Sequence, residues 1–417
     1  MTFARIVVLL ALAGIFFTPA GAPAQMDVWP PPLEAVEVFQ IPLWLPQFHC
    51  IDSELLSRAQ TLEEIVYKDL EFSGLFEIVR KKPVAVGMDE SNFSVEVQGK
   101  VSMADGEPIF EGWVTDVVSG DFIGGKRYQL TDKTLRRTAH HFADEVVRLV
   151  TGERGIAMTK IVFTRTRNNQ WELVMSDYDG YDPKVLVRQS VPLLNPRWID
   201  NSKAVIYTSY RGGKADIYVR YLSEAKSEPL AKYAGTNSIA DWSERNRRFL
   251  AALSKDGNSE IYLLETSGSI RKRLTHNRAI DTSPCWAPSG REMAFTSDRS
   301  GSPQLYVMES DGTNVRRLTF TGGYNASPAW SPRGDLIAFV NRVNNIFQIA
   351  TITPDGRAGR LVTIEYASHE DPRWAPDGRH IVYTERRGDT QSISVVDIKT
   401  RGRRILAEGA NPDWSTR

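Results

Sequence analysis

Few side chains in this sequence stand where they could do chemistry. His140, His141 and Asp144 come nearest to a metal site. On a helix, His140 and Asp144 lie one turn apart on a shared face, but two ligands leave a coordination shell incomplete. They read as structural or interdomain residues. Glu370 and Asp371 supply two carboxylates, the raw material of acid–base or glycosidic catalysis. Adjacent residues point apart, so they make a poor acid/base pair. Cys50 and Cys285 are far apart, with no Cys-x-x-Cys or Cys/His cluster. That pattern speaks against a thiolate zinc site and a disulfide scaffold, and the two read as buried thiols. No Gly-x-Ser-x-Gly nucleophile elbow occurs, nor a Gly-rich phosphate loop ending in Lys-Ser/Thr. No catalytic residue, metal or cofactor is expected.

What positions any site here is a repeat. Trp198, Trp242, Trp286, Trp330 and Trp374 are 44 residues apart, and Trp414 follows after 40. Five of the six close a Pro-x-Trp triplet, at Pro196, Pro284, Pro328, Pro372 and Pro412. Apolar runs beginning at Ile161, Val205, Phe249, Met293, Ile337 and Ile381 share the interval, as do those at Leu173, Ile217, Ile261, Leu305, Ile349 and Ile393. A fourth set lies near Leu186, Leu230, Leu274, Leu318, Val362 and Leu406. The runs are short and rich in β-branched and aromatic residues, and turn residues such as Pro288-Ser-Gly290 and Asp311-Gly312 separate them, as in hairpins. Four antiparallel strands per unit, six times over, predict a six-bladed β-propeller across residues 160–417. The unit at Ile161 lacks its Pro-x-Trp strand, and Asn411-Pro-Asp-Trp414 supplies it, so the C-terminal strand closes the ring. The tryptophans are expected between blades. Arg167, Arg211, Lys255, Arg299 and Arg387, also in register, are expected as surface residues of the second-to-third strand turns.

Before the repeat, the pattern changes. Arg5, the apolar run Ile6–Phe17 and Ala22-x-Ala24 read as a secretory signal over residues 1–24, too short to span a bilayer. A Pro-rich segment occupies 25–33. Residues 34–155 read as a small α/β domain. Glu54–Leu70 and Thr134–Val150 have helical spacing, with Gly74 and Gly152 as C-terminal caps. Phe93–Met103, Pro108–Val118 and Lys126–Leu130 look like strands. The fold class is thus multidomain, a small α/β domain followed by an all-β propeller. With 51 basic and 51 acidic residues in 417, the chain has no general electrostatic pull toward nucleic acid or anionic membrane.

Recognition residues are expected in the loops that join each blade's last strand to the next blade's first. These loops encircle one mouth of the channel and vary against a constant framework. They hold Thr236, Asn237, His276, Asp281, Thr282, Tyr324, Asn325, Ala326, Ser368, His369, Glu370 and Asp371.

Several stretches carry a family resemblance. In the first domain they are Lys68-Asp-Leu-Glu-Phe-Ser-Gly-Leu-Phe76 and Arg136-Arg-Thr-Ala-His-His-Phe-Ala-Asp-Glu145. At the junction they are Leu149-Val-Thr-Gly-Glu-Arg-Gly155 and Thr159-Lys-Ile-Val-Phe163, and in the propeller Val174-Met-Ser-Asp-Tyr-Asp-Gly180 and Phe295-Thr-Ser-Asp-Arg-Ser-Gly301. With these the chain resembles the TolB family, periplasmic proteins of the Gram-negative Tol-Pal envelope system. The resemblance implies a non-enzymatic adaptor supporting envelope integrity and constriction at division. It implies that the mouth loops bind the peptidoglycan-associated lipoprotein Pal, with His276, Tyr324 and His369 as central contacts. It also implies that the N-terminal segment, here Met26, Asp27, Val28 and Trp29, contacts inner-membrane TolA. That segment is usually β-like in the family, whereas Trp29-Pro-Pro-Pro32 favours polyproline II. The alternative from another class is an exported propeller hydrolase or lyase with its active site in the central channel.

Overall fold

The computed structural model describes residues 39–80 and 94–416. The expected signal, the Pro-rich segment and Met26–Trp29 lie outside them. Among the described residues no helix is long and apolar enough to cross a membrane.

The N-terminal part is a mixed sheet of six strands, ordered Phe76–Val79, Ile41–Trp44, Val95–Ala104, Glu107–Asp116 and Phe122–Gln129, with His49–Cys50 paired to Val95–Ala104. Val95, Val97 and Val101 alternate inward along their strand, as a half-buried sheet requires. They meet two helices, α1 (Leu56–Ser73) and α2 (Leu135–Thr151). Leu62, Val66 and Leu70 of α1 and Ala139, Phe142 and Val146 of α2 repeat at three- and four-residue intervals and are fully buried in this core. The strands Ile41–Trp44 and Phe76–Val79 were not foreseen; each is only four residues long and carries no clear alternation.

The rest is a propeller of six four-stranded antiparallel blades. Blade 1 is made of Ala410–Trp414, Lys160–Arg167, Gln170–Asp177 and Lys184–Gln189. Its ring closure pairs Trp414 with Ile161 and Asp413 with Val162. Blades 2 to 6 begin with Leu193–Ile199, Asn237–Ser243, Asp281–Trp286, Asn325–Trp330 and Ser368–Trp374. The tryptophans pack between blades as expected. Trp198 lies against Val162, Leu173 and Val187 of blade 1, and Trp286 against Leu250, Ile261 and Leu263 of blade 3.

The N-terminal part seats on one propeller face, over the first and third hairpins of blades 6 and 1. Phe72, near the end of α1, stands edge-on to Tyr178 at 4.9 Å and stacks on His380 at 5.1 Å. The Arg379 guanidinium binds the Asp397 carboxylate at 2.7 Å and donates to the Gly74 carbonyl at 2.8 Å. Gly74 takes φ +65°, and a Cβ there would stand 2.5 Å from Asp397 Oδ2 and 2.6 Å from Arg379 Nη2. Only glycine ends the helix and admits this approach. The His140–Asp144 pair resolves into interdomain duty. Asp69 bridges His140 Nδ1 at 2.6 Å and the Tyr178 hydroxyl at 2.6 Å. Asp144 turns away and accepts the backbone N–H groups of Ala157 and Met158. Among the described residues, the N-terminal part leaves the other propeller face uncovered.

Candidate functional site

That free face is the mouth, and a repeated backbone irregularity shapes it. Every pairing of first and second strands slips register just before the repeat tryptophan. In five blades the slip falls at a non-glycine residue of positive φ: Asn195, Ser283, Ser327, Asp371 and Asn411, all between 50° and 54°. Small polar residues tolerate this left-handed conformation best. A bulge of this kind re-aims side chains. Here it turns Asn195, Ser283, Ser327 and Asp371 into a channel cavity of about 190 Å³, which they line together with Thr236, Ser238 and Thr282. A small polar residue three before each of these tryptophans was the available signal, and the sequence reading missed it.

The residue inside each triplet also points inward. Arg197, Asp241, Cys285, Ala329, Arg373 and Asp413 occupy this one register position. The two carboxylates cross-link blades: Asp241 accepts the Trp286 N–H at 2.7 Å, and Asp413 accepts the Trp198 N–H at 2.7 Å. Burial pushes the Asp241 carboxyl up to about 6 and pulls the Arg197 guanidinium down to about 10. Below them the six repeat tryptophans line a second cavity of about 260 Å³.

The expected loop residues divide into two groups. Thr236 and His276 are exposed, while Thr282, Tyr324, Ser368, Glu370 and Asp371 are half-buried at the rim. Tyr324 lies against Phe347 at 5.3 Å with Arg342 over its ring. Asp371 is engaged by Thr384 and Asn411, and Glu370 faces Arg386 at 3.7 Å. Asn237, Asp281, Asn325, Ala326 and His369, by contrast, are buried. These five need correcting as direct contacts. They open the first strands, where the adjoining loop folds over them. Asn237 donates to the Ala215 and Tyr233 carbonyls, Asp281 takes Arg299 and Asn277, and Asn325 donates to Gln304 and the Thr321 carbonyl. Their work is to hold the loops in shape. His369 is the exception, with no hydrogen bond at either ring nitrogen. Burial pulls its imidazole down to about 4, against the nearby Glu385 and Glu365 carboxylates.

Solvent instead meets residues the sequence reading passed over. Ile280, Phe320 and Ile364 are 52%, 71% and 61% exposed, and Tyr366 is fully exposed. All four stand in the interblade loops, and their signal was an apolar residue in an otherwise polar loop. The in-register basic residues edge the same face and lie over aromatic rings: Arg211 over Tyr218, Lys255 over Tyr262 and Arg299 over Tyr306. A narrow polar channel ringed by mixed apolar and polar loops is suited to holding a protein surface.

Known proteins share this architecture. The family described as the TolB beta propeller domain matches residues 147–417. "Tol-Pal system protein TolB" of Bordetella parapertussis is 30% identical over 247 residues, covering 57% of this chain and 54% of its own. Its namesake from Nitrosomonas europaea is 32% identical over 189 residues, 43% of this chain and 44% of its own. The chain thus spans about half the length of the curated relatives it matches. The crystal structure of TolB from Acinetobacter baumannii superposes with TM-score 0.79 at 25% identity, covering 90% of this chain and 97% of that one. Repeat, closure and family match agree: this chain belongs to the TolB β-propeller family.

Proposed function

We propose that the protein is a non-enzymatic adaptor of the Tol-Pal system, exported to the periplasm after cleavage of residues 1–24. In this reading 34–155 and 160–417 act as two domains. The propeller mouth binds the peptidoglycan-associated lipoprotein Pal, and the segment Met26–Trp29 engages inner-membrane TolA, so that the chain couples the two membranes. The observation that carries the reading is the likeness to Acinetobacter baumannii TolB over nine-tenths of this chain, N-terminal part included. The mouth supports it. Its rim presents Phe320, Tyr324, Ile364 and Tyr366, and aromatic anchors of this kind dominate protein–protein binding.

Calorimetric titration of the exported chain with the soluble domain of Pal tests the proposal. Saturable binding that weakens in Phe320→Ala and Tyr366→Ala supports both partner and face. Binding indifferent to both substitutions moves the contact elsewhere. No binding by a folded chain removes Pal as the partner.

A further inference from the structure

We propose that Glu365, His369 and Glu385 form a site for a divalent transition-metal ion, zinc by preference, in the wall of the mouth between blades 5 and 6. One donor atom from each side chain lies within 4.8 Å of the others. Glu365 comes from the loop entering blade 6. His369 and Glu385 face each other across the ladder between the first two strands of that blade.

The pointer to a ligand is the imidazole. His369 is wholly buried, and both its ring nitrogens lack a partner. A buried polar atom left unbonded is destabilising, and a metal ion accepts such a lone pair directly. The ring is held edge-on to Tyr383 at 4.9 Å. Tyr383 is in turn packed among Ala338, Val340 and Ile349 of blade 5. The imidazole is therefore already oriented, and it is not among the residues lining the channel cavity. At the equivalent position of other blades Asn237, Asp281 and Asn325 are each hydrogen-bonded within their own loops.

One imidazole nitrogen with two carboxylate oxygens suits zinc better than calcium or magnesium, which prefer oxygen alone. Three protein donors leave the fourth tetrahedral position for water or for a group brought by a partner. Two guanidiniums now neutralise the carboxylates. Arg387 reaches Glu365 at 2.9 Å and Glu385 at 2.5 Å, and Arg403 contacts both. The Arg387 side chain, at the end of its strand, is 59% exposed and can swing into water, whereas Arg403 is 20% exposed and better held. Zinc entry exchanges the Arg387 guanidinium for the ion. It would tie down the loop bearing Ile364 and Tyr366, whatever partner the mouth takes.

The test is calorimetric titration of the metal-free full chain with zinc chloride, repeated with cobalt(II) to read the visible absorption of a tetrahedral ion. One saturable site is expected. His369→Gln and Glu365→Gln should each weaken it by about tenfold or more, and His369→Gln should abolish the cobalt spectrum. Arg387→Gln, which removes the competing cation, should tighten it severalfold. Glu365 and Arg387 reach the surface, so those two variants keep the test open if His369→Gln fails to fold. The proposal is overturned if the unaltered chain binds no zinc saturably at millimolar concentration. Equal affinity in all the variants also overturns it, because the ion then sits on other donors such as the exposed His49 or His276.

Discussion

The two faces of the propeller satisfy their buried polar groups to different degrees. Against the N-terminal part, such groups mostly meet one another across the joint, with His140 Nε2 the exception. Asp69 serves His140 and Tyr178, Arg379 serves Asp397 and the Gly74 carbonyl, and His380 bridges Asp377 and the Phe72 carbonyl. On the mouth side, Glu260, Asp281, Asn341 and His369 each keep a buried polar atom without a partner. There too, Phe320, Ile364 and Tyr366 leave apolar surface in water. The joint satisfies nearly all of its bonding capacity within the chain. The mouth, proposed above as a surface for another molecule, keeps more of that capacity in reserve.

Breaking the joint should have the largest effect. Phe72→Ala removes the ring seated on Tyr178 and His380 and is expected to cost about 3–4 kcal/mol in chemical denaturation. A loss under about 1 kcal/mol would mean that the polar bonds alone hold the joint. Truncation on the mouth side should separate stability from binding. Tyr366→Ala should change folding by no more than about 0.5 kcal/mol while weakening the calorimetric affinity for Pal by about 2 kcal/mol. A destabilisation the size of that at Phe72 would erase the distinction between the faces.

Titration sharpens the contrast further. Burial pushes the Asp144 carboxyl up to about 6 from its ordinary 3.8, against two backbone N–H groups that favour the charged form. Between these values the folded chain holds a proton that the unfolded chain has released. This group's contribution is therefore greatest at low pH and declines as pH rises through about 6. Asp144→Asn should flatten that dependence, changing the stability difference between variant and parent by about 2 kcal/mol from pH ~4.5 to ~7.5. Parallel stability profiles would show that Asp144 does not titrate in this range. The smallest effect is expected where the joint meets solvent. Glu153 pairs with Arg333, but both side chains are nearly half exposed. Glu153→Ala should cost no more than about 0.5 kcal/mol, and a loss above about 1 kcal/mol would move the joint's strength to its rim.

How much of this was legible follows the range of each interaction. Blade number, strand order and closure stand in the spacing of Trp198 to Trp414, because a propeller is built from hairpins whose turns and alternation are set by near neighbours. The helix ends at Gly74 and Gly152 are local for the same reason; both take positive φ. The mouth was legible as a set of loops, but its members were not. Asn237, Asp281, Asn325 and His369 look like solvated loop residues until the loop before them folds over. Conversely, Phe320 and Tyr366 are apolar loop residues that only the folded structure shows to be uncovered.

The sequence by itself determined a closed six-bladed ring with a small α/β unit before it, since periodic burial and turn chemistry repeat along the chain. Only the tertiary structure decided which face the N-terminal part occupies and which loop residues meet water. It also brought residues 69, 140 and 178 into one cluster, and 365, 369 and 385 into another. Such groupings depend on how distant segments bury one another, and desolvation and pairing across that distance leave no local pattern to read.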